Sequence, residues 1–254
     1  MFLREAYGVP VTEIAASCAD PQKPVGAEFY SQLFSKLKEI PRDPAWIEAK
    51  REFARFVDAR FLQSWQQSHA QSPRLLTVGS GEAVAERVWA DKGYPITFHD
   101  GHNACFPELQ NAYPNAKFLV SGLEELAPTD TFDFITILAS DYVLPRIALV
   151  ELFRRLGRSL SGNGRIFIFC PNLLSLRRLT IESLRQVVRA HRRNGYVFWG
   201  WWRSPGEFSR VAKSAGLVLK DTLRPSPSGW IPAGLLWRFI PLRDEMGCFT
   251  LGHR

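Results

Sequence analysis

Between residues 44 and 67, apolar side chains return every three to four positions. Trp46, Ile47, Phe53, Val57, Phe61 and Trp65 fall on one side, with Glu48, Arg51, Glu52, Arg55 and Asp58 on the other. That spacing predicts an amphipathic helix, and Pro44 suits its first turn. After Ser72-Pro73 the period changes. Short apolar runs at 75–78, 96–98, 118–120, 132–139 and 165–169 alternate with helical stretches at 82–92 and 146–160, and Ser161-Gly162-Asn163-Gly164 reads as a turn. Strands separated by helices predict parallel pairing through right-handed crossovers, hence a doubly wound α/β sheet.

The rhythm breaks after Asn172. A basic helix is expected over 176–193, then five aromatics within 196–202, a helix over 205–215, a sixth strand over 216–223 and a last strand over 246–251. The apolar stretch 230–242 contains prolines and glycine and has no clear periodicity. Near the start, frequent Pro and Gly leave room for one short helix around 28–39. The chain therefore divides into an N-terminal helical extension, 1–71, and an α/β domain, 72–254, with an inserted segment around 174–206.

The 254 residues, 46% hydrophobic and 22% charged, suit a folded chain with a sizeable core. The absence of a long apolar run or a leader-like N-terminus points to the cytoplasm. Four scattered cysteines (Cys18, Cys105, Cys170, Cys248) form no CxxC pair and suit a reducing compartment. The net charge of +7 is local: between Arg154 and Arg203 stand eleven arginines, no lysine and one acid, Glu182. Such a segment attracts phosphates, carboxylates, nucleic acid or an anionic membrane surface, when it is not simply a solvated helix face with a few ion pairs.

The first strand runs into Gly79-Ser80-Gly81, and Asp100 follows 19 residues later at the end of the second strand. Glycines let the backbone turn tightly against a ligand, and an acid at this distance can accept both hydroxyls of an adenosine ribose. For a dinucleotide, the third glycine of GxGxxG falls on Val84, which is wrong. S-adenosylmethionine needs GxGxG, where only Ala83 departs. His99, His102 and Cys105 are spaced by three, but a zinc site wants four ligands and no fourth is near in sequence, so no metal is expected.

Several segments in register resemble a class I S-adenosylmethionine-dependent methyltransferase, of the group containing ubiquinone-type O-methyltransferases. Beside the glycine turn, these are Ser121-Gly122-Leu123-Glu124-Glu125-Leu126, Phe132-Asp133-Phe134, the run from Glu151-Leu152 through Gly162 and Gly164 to Pro171-Asn172, and Ser204-Pro205-Gly206-Glu207-Phe208 with Ala215-Gly216-Leu217. The resemblance implies a seven-stranded Rossmann-like sheet with an antiparallel last strand and S-adenosyl-L-methionine over its C-terminal edge. It implies that Gly79 and Gly81, with Ser80 between them, line the methionine part and that Asp100 holds the ribose. Gly101 and His102 flank that ribose, Leu123 beside Gly122 meets the adenine, and Ala139 faces the sulfonium. Thr77, Ala83 and Gly122 depart from the family's pattern, as does Val143.

Methyl transfer to oxygen is helped by a base. Candidates are Asp141 and Tyr142, just past the fourth strand, and His191 at the end of the basic helix; Asp141 also suits a helix cap and His191 a surface position. Tyr196, Phe198, Trp199, Trp201, Trp202 and Arg203 read as a lid over a small-molecule acceptor with an aromatic or lipid part and an anionic part, or as core packing. Resting on a membrane interface, at the inner face, is a further use of these aromatics. Two other functions compete: an RNA methyltransferase using the arginines as a phosphate track, and a non-catalytic binding module suggested by Thr77, Ala83 and Gly122. The paired motifs of nucleic-acid methylases are missing, so nucleic acid is the weaker partner. The sequence is silent on oligomeric state.

Overall fold

The computed structural model describes residues 5–6, 9–10, 44–123, 125–126, 128–138, 149–171, 205–226, 229–232 and 246–254. The expected helices at 28–39 and 176–193 and the aromatic cluster at 196–202 lie outside the described residues.

Eight strands form one sheet: β1 (Leu75–Val78), β2 (Ile96–Asp100), β3 (Lys117–Val120), β4 (Phe132–Leu138), β5 (Leu160–Pro171), β6 (Val218–Ser226), β7 (Gly229–Pro232) and β8 (Met246–Gly252). Their order is β3-β2-β1-β4-β5-β8-β6-β7. The first five run parallel, and β8 is antiparallel to both β5 and β6. All seven expected strands are present, and β7 is an addition to that count. It returns from β6 as an antiparallel edge strand and takes up the start of the stretch that lacked periodicity. Pro232 is tolerated there because an edge strand can forgo an amide donor.

The central strands are buried on both faces, as parallel strands under helices must be; every residue of β4 is buried. On one face Leu76, Val78, Ile135, Ile137, Ile166 and Ile168 pack with Leu152, Phe153 and Leu156 of a helix α5 (Leu149–Arg158) and Phe208 and Ala212 of α6 (Pro205–Ser214). On the other, Leu75, Phe98, Phe134 and Phe167 pack with Phe53, Ala54 and Val57. Those residues belong to the predicted amphipathic helix, which runs as α1 (Pro44–Val57), one π turn (Asp58–Leu62) and α2 (Gln63–His69). Phe61 meets Phe167 edge-on at 5.0 Å, and Trp65 meets Phe134 likewise at 5.5 Å.

The π turn opens on a buried acid. Asp58 is buried, and its carboxylate accepts from Tyr94 Oη at 2.8 Å, from Gln63 Nε2 at 2.8 Å and from Lys92 Nζ. A buried carboxylate demands such partners, and together they tie the helix to the loop before β2.

Helix α4 (Phe106–Ala112) joins β2 to β3. Two expected elements differ in form. The helix at 82–92 is α-helical only as α3 (Arg87–Ala90), because Ala83 takes a left-handed φ of 55° and extends the glycine turn. The expected turn at 161–164 lies inside β5 as a bulge: Phe132 pairs with Leu160 and Phe134 with Arg165, so the four residues 161–164 of β5 stand against Asp133 alone of β4. Gly164 is required there, since a Cβ would stand 2.8 Å from the Asp133 carbonyl oxygen.

Candidate functional site

Strand order reverses between β1 and β4, because β1 continues to β2 on one side and β4 opens the other half of the sheet. Crevices at such switch points, beyond the C-terminal strand ends, are where open α/β sheets bind ligands. Three loops meet there. The first leaves β1 through Gly79 and Gly81, with φ of 69° and 52°, values that glycine adopts without steric cost. Ser80 N donates to the His99 carbonyl at 2.9 Å, and Gly81 N to Asp100 Oδ2 at 2.7 Å. Ala83 continues the turn through its amide, which donates to Ser80 O at 2.8 Å.

The second loop leaves β2 at Asp100, a residue only 8% exposed. Oδ2 is committed to the glycine loop. Oδ1 has longer approaches, from His102 N and His102 Nε2, both at 3.4 Å. Burial lowers the His102 pKa, with the Asp100 charge acting in the opposite direction. Gly101 sits against the third loop, its nearest neighbour being Ser121 O at 4.0 Å from a built Cβ.

That third loop follows β3. Ser121 N donates to Asp100 O at 3.1 Å, and His99 Nε2 lies 2.9 Å from Ser121 O and 3.2 Å from its Oγ. A carbonyl only accepts, so the neutral imidazole carries its proton on Nε2 and buries Nδ1 without a partner among the described residues. Burial therefore lowers the His99 pKa. Arg155 of α5 donates from Nη2 to Leu123 O at 3.2 Å, which fixes the turn containing Gly122. Leu119 and Val120, exposed at the end of β3, give this edge an apolar rim.

Thus Gly79, Ser80, Gly81, Asp100, Gly101, His102, Gly122 and Leu123 come together at one sheet edge. Ala139, which follows β4, lies outside the described residues, as do Asp141, Tyr142, His191, Tyr196, Phe198, Trp199, Trp201, Trp202 and Arg203.

Glu86 was not among the expected site residues. It is buried beside the glycine turn, and desolvation raises its pKa to about 7, opposed by the charge of Lys50 on α1 and reinforced by that of Asp100. Its spacing of three from the buried Trp89 was the available signal, since that spacing puts both on the same side of a helical turn. Lys50 carried no such signal, because its approach to this loop depends on how α1 docks.

An adenosyl cofactor fits this arrangement on two counts. Oδ1 of Asp100 retains acceptor capacity, and Ser80 Oγ is buried beside the turn without a partner among the described residues.

No protein-family model matches the sequence, and no curated protein matches it. Solved structures do. A TehB-like S-adenosylmethionine-dependent methyltransferase from Corynebacterium glutamicum is 19% identical, with 89% of this chain and 96% of that one covered and a TM-score of 0.54. The magnesium protoporphyrin IX methyltransferase of Synechocystis, solved with S-adenosylhomocysteine, is 10% identical over 92% and 100% of the two chains at a TM-score of 0.59. The plantazolicin methyltransferase BpumL, also solved with S-adenosylhomocysteine, is 16% identical over 94% and 95% at 0.57. The chain has the Rossmann-like fold of these proteins.

Proposed function

We propose that this chain is an S-adenosylmethionine-dependent methyltransferase acting on a small molecule. The observation that carries this reading is Asp100: its Oδ2 accepts from Gly81 N at 2.7 Å while its Oδ1, approached only by His102 at 3.4 Å, keeps acceptor capacity. Ribose hydroxyls are suited to a carboxylate held in this way. The fold shared with proteins solved around S-adenosylhomocysteine supports it further. In this reading Gly79, Ser80 and Gly81 hold the methionine part, Asp100, Gly101 and His102 the ribose, and Gly122 and Leu123 the adenine, with Ala139 facing the sulfonium.

Bound there, the cofactor supplies a sulfonium-activated methyl group. The chain has then to orient an acceptor in line with that methyl and keep water out. His99 and Arg155 hold the adenine loop in register with the ribose acid. Asp141, Tyr142 and His191 are the candidates for taking a proton from an oxygen acceptor. Tyr196, Phe198, Trp199, Trp201, Trp202 and Arg203 are the candidates for covering the acceptor, and their chemistry suits one with an aromatic or lipid part and an anionic part.

Calorimetric titration of the full chain with S-adenosylmethionine, followed by extracts screened for methyl acceptance from labelled cofactor, tests this. Binding and label transfer to a small molecule are expected. Binding without transfer to any acceptor favours a non-catalytic binding module, label in RNA favours the nucleic-acid alternative, and no heat at millimolar ligand refutes the cofactor.

A further inference from the structure

At the opposite edge of the sheet, where β4 and β5 enter, a groove of about 180 Å³ lies between α2 and the start of β5. Register places it there: Phe134 pairs with Arg165, four residues before β4 reaches Leu138 and the crevice described above. Its walls include Arg60, Ser64, Trp65, His69, Asn163 and Arg165. The ring of Trp65 stacks on His69 at 3.9 Å and meets Phe134 edge-on, so the floor is aromatic and the rim is cationic.

Three features make this groove a host for an anion. Among the described residues, neither Arg60 nor Arg165 has a carboxylate partner. The nearest acid along the strand, Asp133, already accepts from Arg74 N at 2.8 Å and lies 3.8 Å from Arg74 Nε. Gly252 lets the Arg165 guanidinium lie over its backbone, since a Cβ there would stand 3.0 Å from Arg165 Nη1. Trp65 Nε1 is buried without a hydrogen-bond partner among the described residues, a donor that lacks an acceptor. No carboxylate lines the groove.

We propose that this groove is a second binding site, distinct from the adenosyl crevice, and that it takes a phosphate monoester or a comparable small oxyanion. Two guanidinium forks match the geometry of such a group, and the Asn163 amide supplies a further donor, with the Trp65 ring in the floor as its reporter. His69 contributes its stacked ring rather than a donor, because its Nδ1 proton goes to Trp65 O at 3.0 Å.

The test is a titration of the ¹⁵N-labelled full chain with inorganic phosphate, read at the indole N–H signal of Trp65, which Trp65→Phe identifies. A saturable downfield shift in the millimolar range is expected. Arg60→Gln with Arg165→Gln should weaken it about tenfold or more. The charge-matched pair Arg210→Gln with Lys213→Gln, exposed on α6, should leave it within about twofold. Retained dispersion of the other indole signals shows that each variant is folded. Vesicles carrying phosphatidic acid form a second arm: competition with phosphate identifies the source as a lipid headgroup, and its absence a free phosphorylated molecule. No shift of the Trp65 signal, or equal weakening in both double variants, overturns the proposal.

Discussion

Asp100→Asn removes one charge and almost no volume from the proposed adenosyl crevice. In the folded chain Oδ2 accepts from Gly81 N at 2.7 Å, whereas Oδ1 has only the 3.4 Å approaches of His102. An asparagine that turns its amide oxygen to Gly81 keeps the loop bond. Its NH₂ then stands where Oδ1 stood, and the ribose meets a donor in place of a charged acceptor. One hydrogen bond to a charged group contributes about 1.5–3 kcal/mol, so affinity for S-adenosylhomocysteine should fall about ten- to hundredfold. Thermal stability should hardly move. Asp100→Ala, in contrast, also strips the acceptor from Gly81 and should lose about 1 kcal/mol or more of stability besides affinity. Calorimetry on the three proteins at one pH, with melts alongside, separates the effects. Undiminished affinity in Asp100→Asn refutes the ribose contact.

Gly164→Ala should cost about 1–3 kcal/mol in chemical denaturation, because the added Cβ meets a backbone carbonyl at 2.8 Å. Gly162→Ala, with nothing within 4 Å of the added atom, should stay within about 0.5 kcal/mol; equal effects would deny the bulge. Asp58→Ala leaves the buried Tyr94 hydroxyl and Gln63 without their acceptor and should cost about 2–3 kcal/mol, while an unchanged denaturation midpoint would mean that the carboxylate is dispensable. His99 and His102 both titrate below the ordinary 6.5, so the unfolded chain takes up protons first as pH falls. The stability linked to them is whole above 6.5 and is lost as pH drops from there towards their folded values. His99→Gln should flatten that acid limb, and an identical pH profile would remove His99 from it.

The parallel half of the sheet was legible because its strands are buried on both faces. The apolar runs of β1 and β4 therefore stand out from the helical periods around them. The glycine turn and Asp100 were legible for a second reason: their spacing along the chain follows from the length of one strand–helix–strand unit. What escaped depended on contacts distant in sequence. The four-residue α3 follows from the left-handed backbone at Ala83, a conformation that alanine does not announce. β5 runs through its own Gly-Asn-Gly because β4 offers pairing on both sides of the bulge. The partners of Asp58, where the π turn opens, lie 34 and 36 residues away. Glu86 and Lys50 meet only because α1 docks on α3, where Trp89 Nε1 donates to Ala54 O at 2.9 Å.

A structure of the full chain crystallised with S-adenosylhomocysteine probes the central claim most directly. The account predicts the adenosyl group over the ends of β1, β2 and β3, its ribose hydroxyls on Asp100 and its adenine against Leu123. A crevice without ligand at saturating concentration, or a ribose bound away from Asp100, would contradict it.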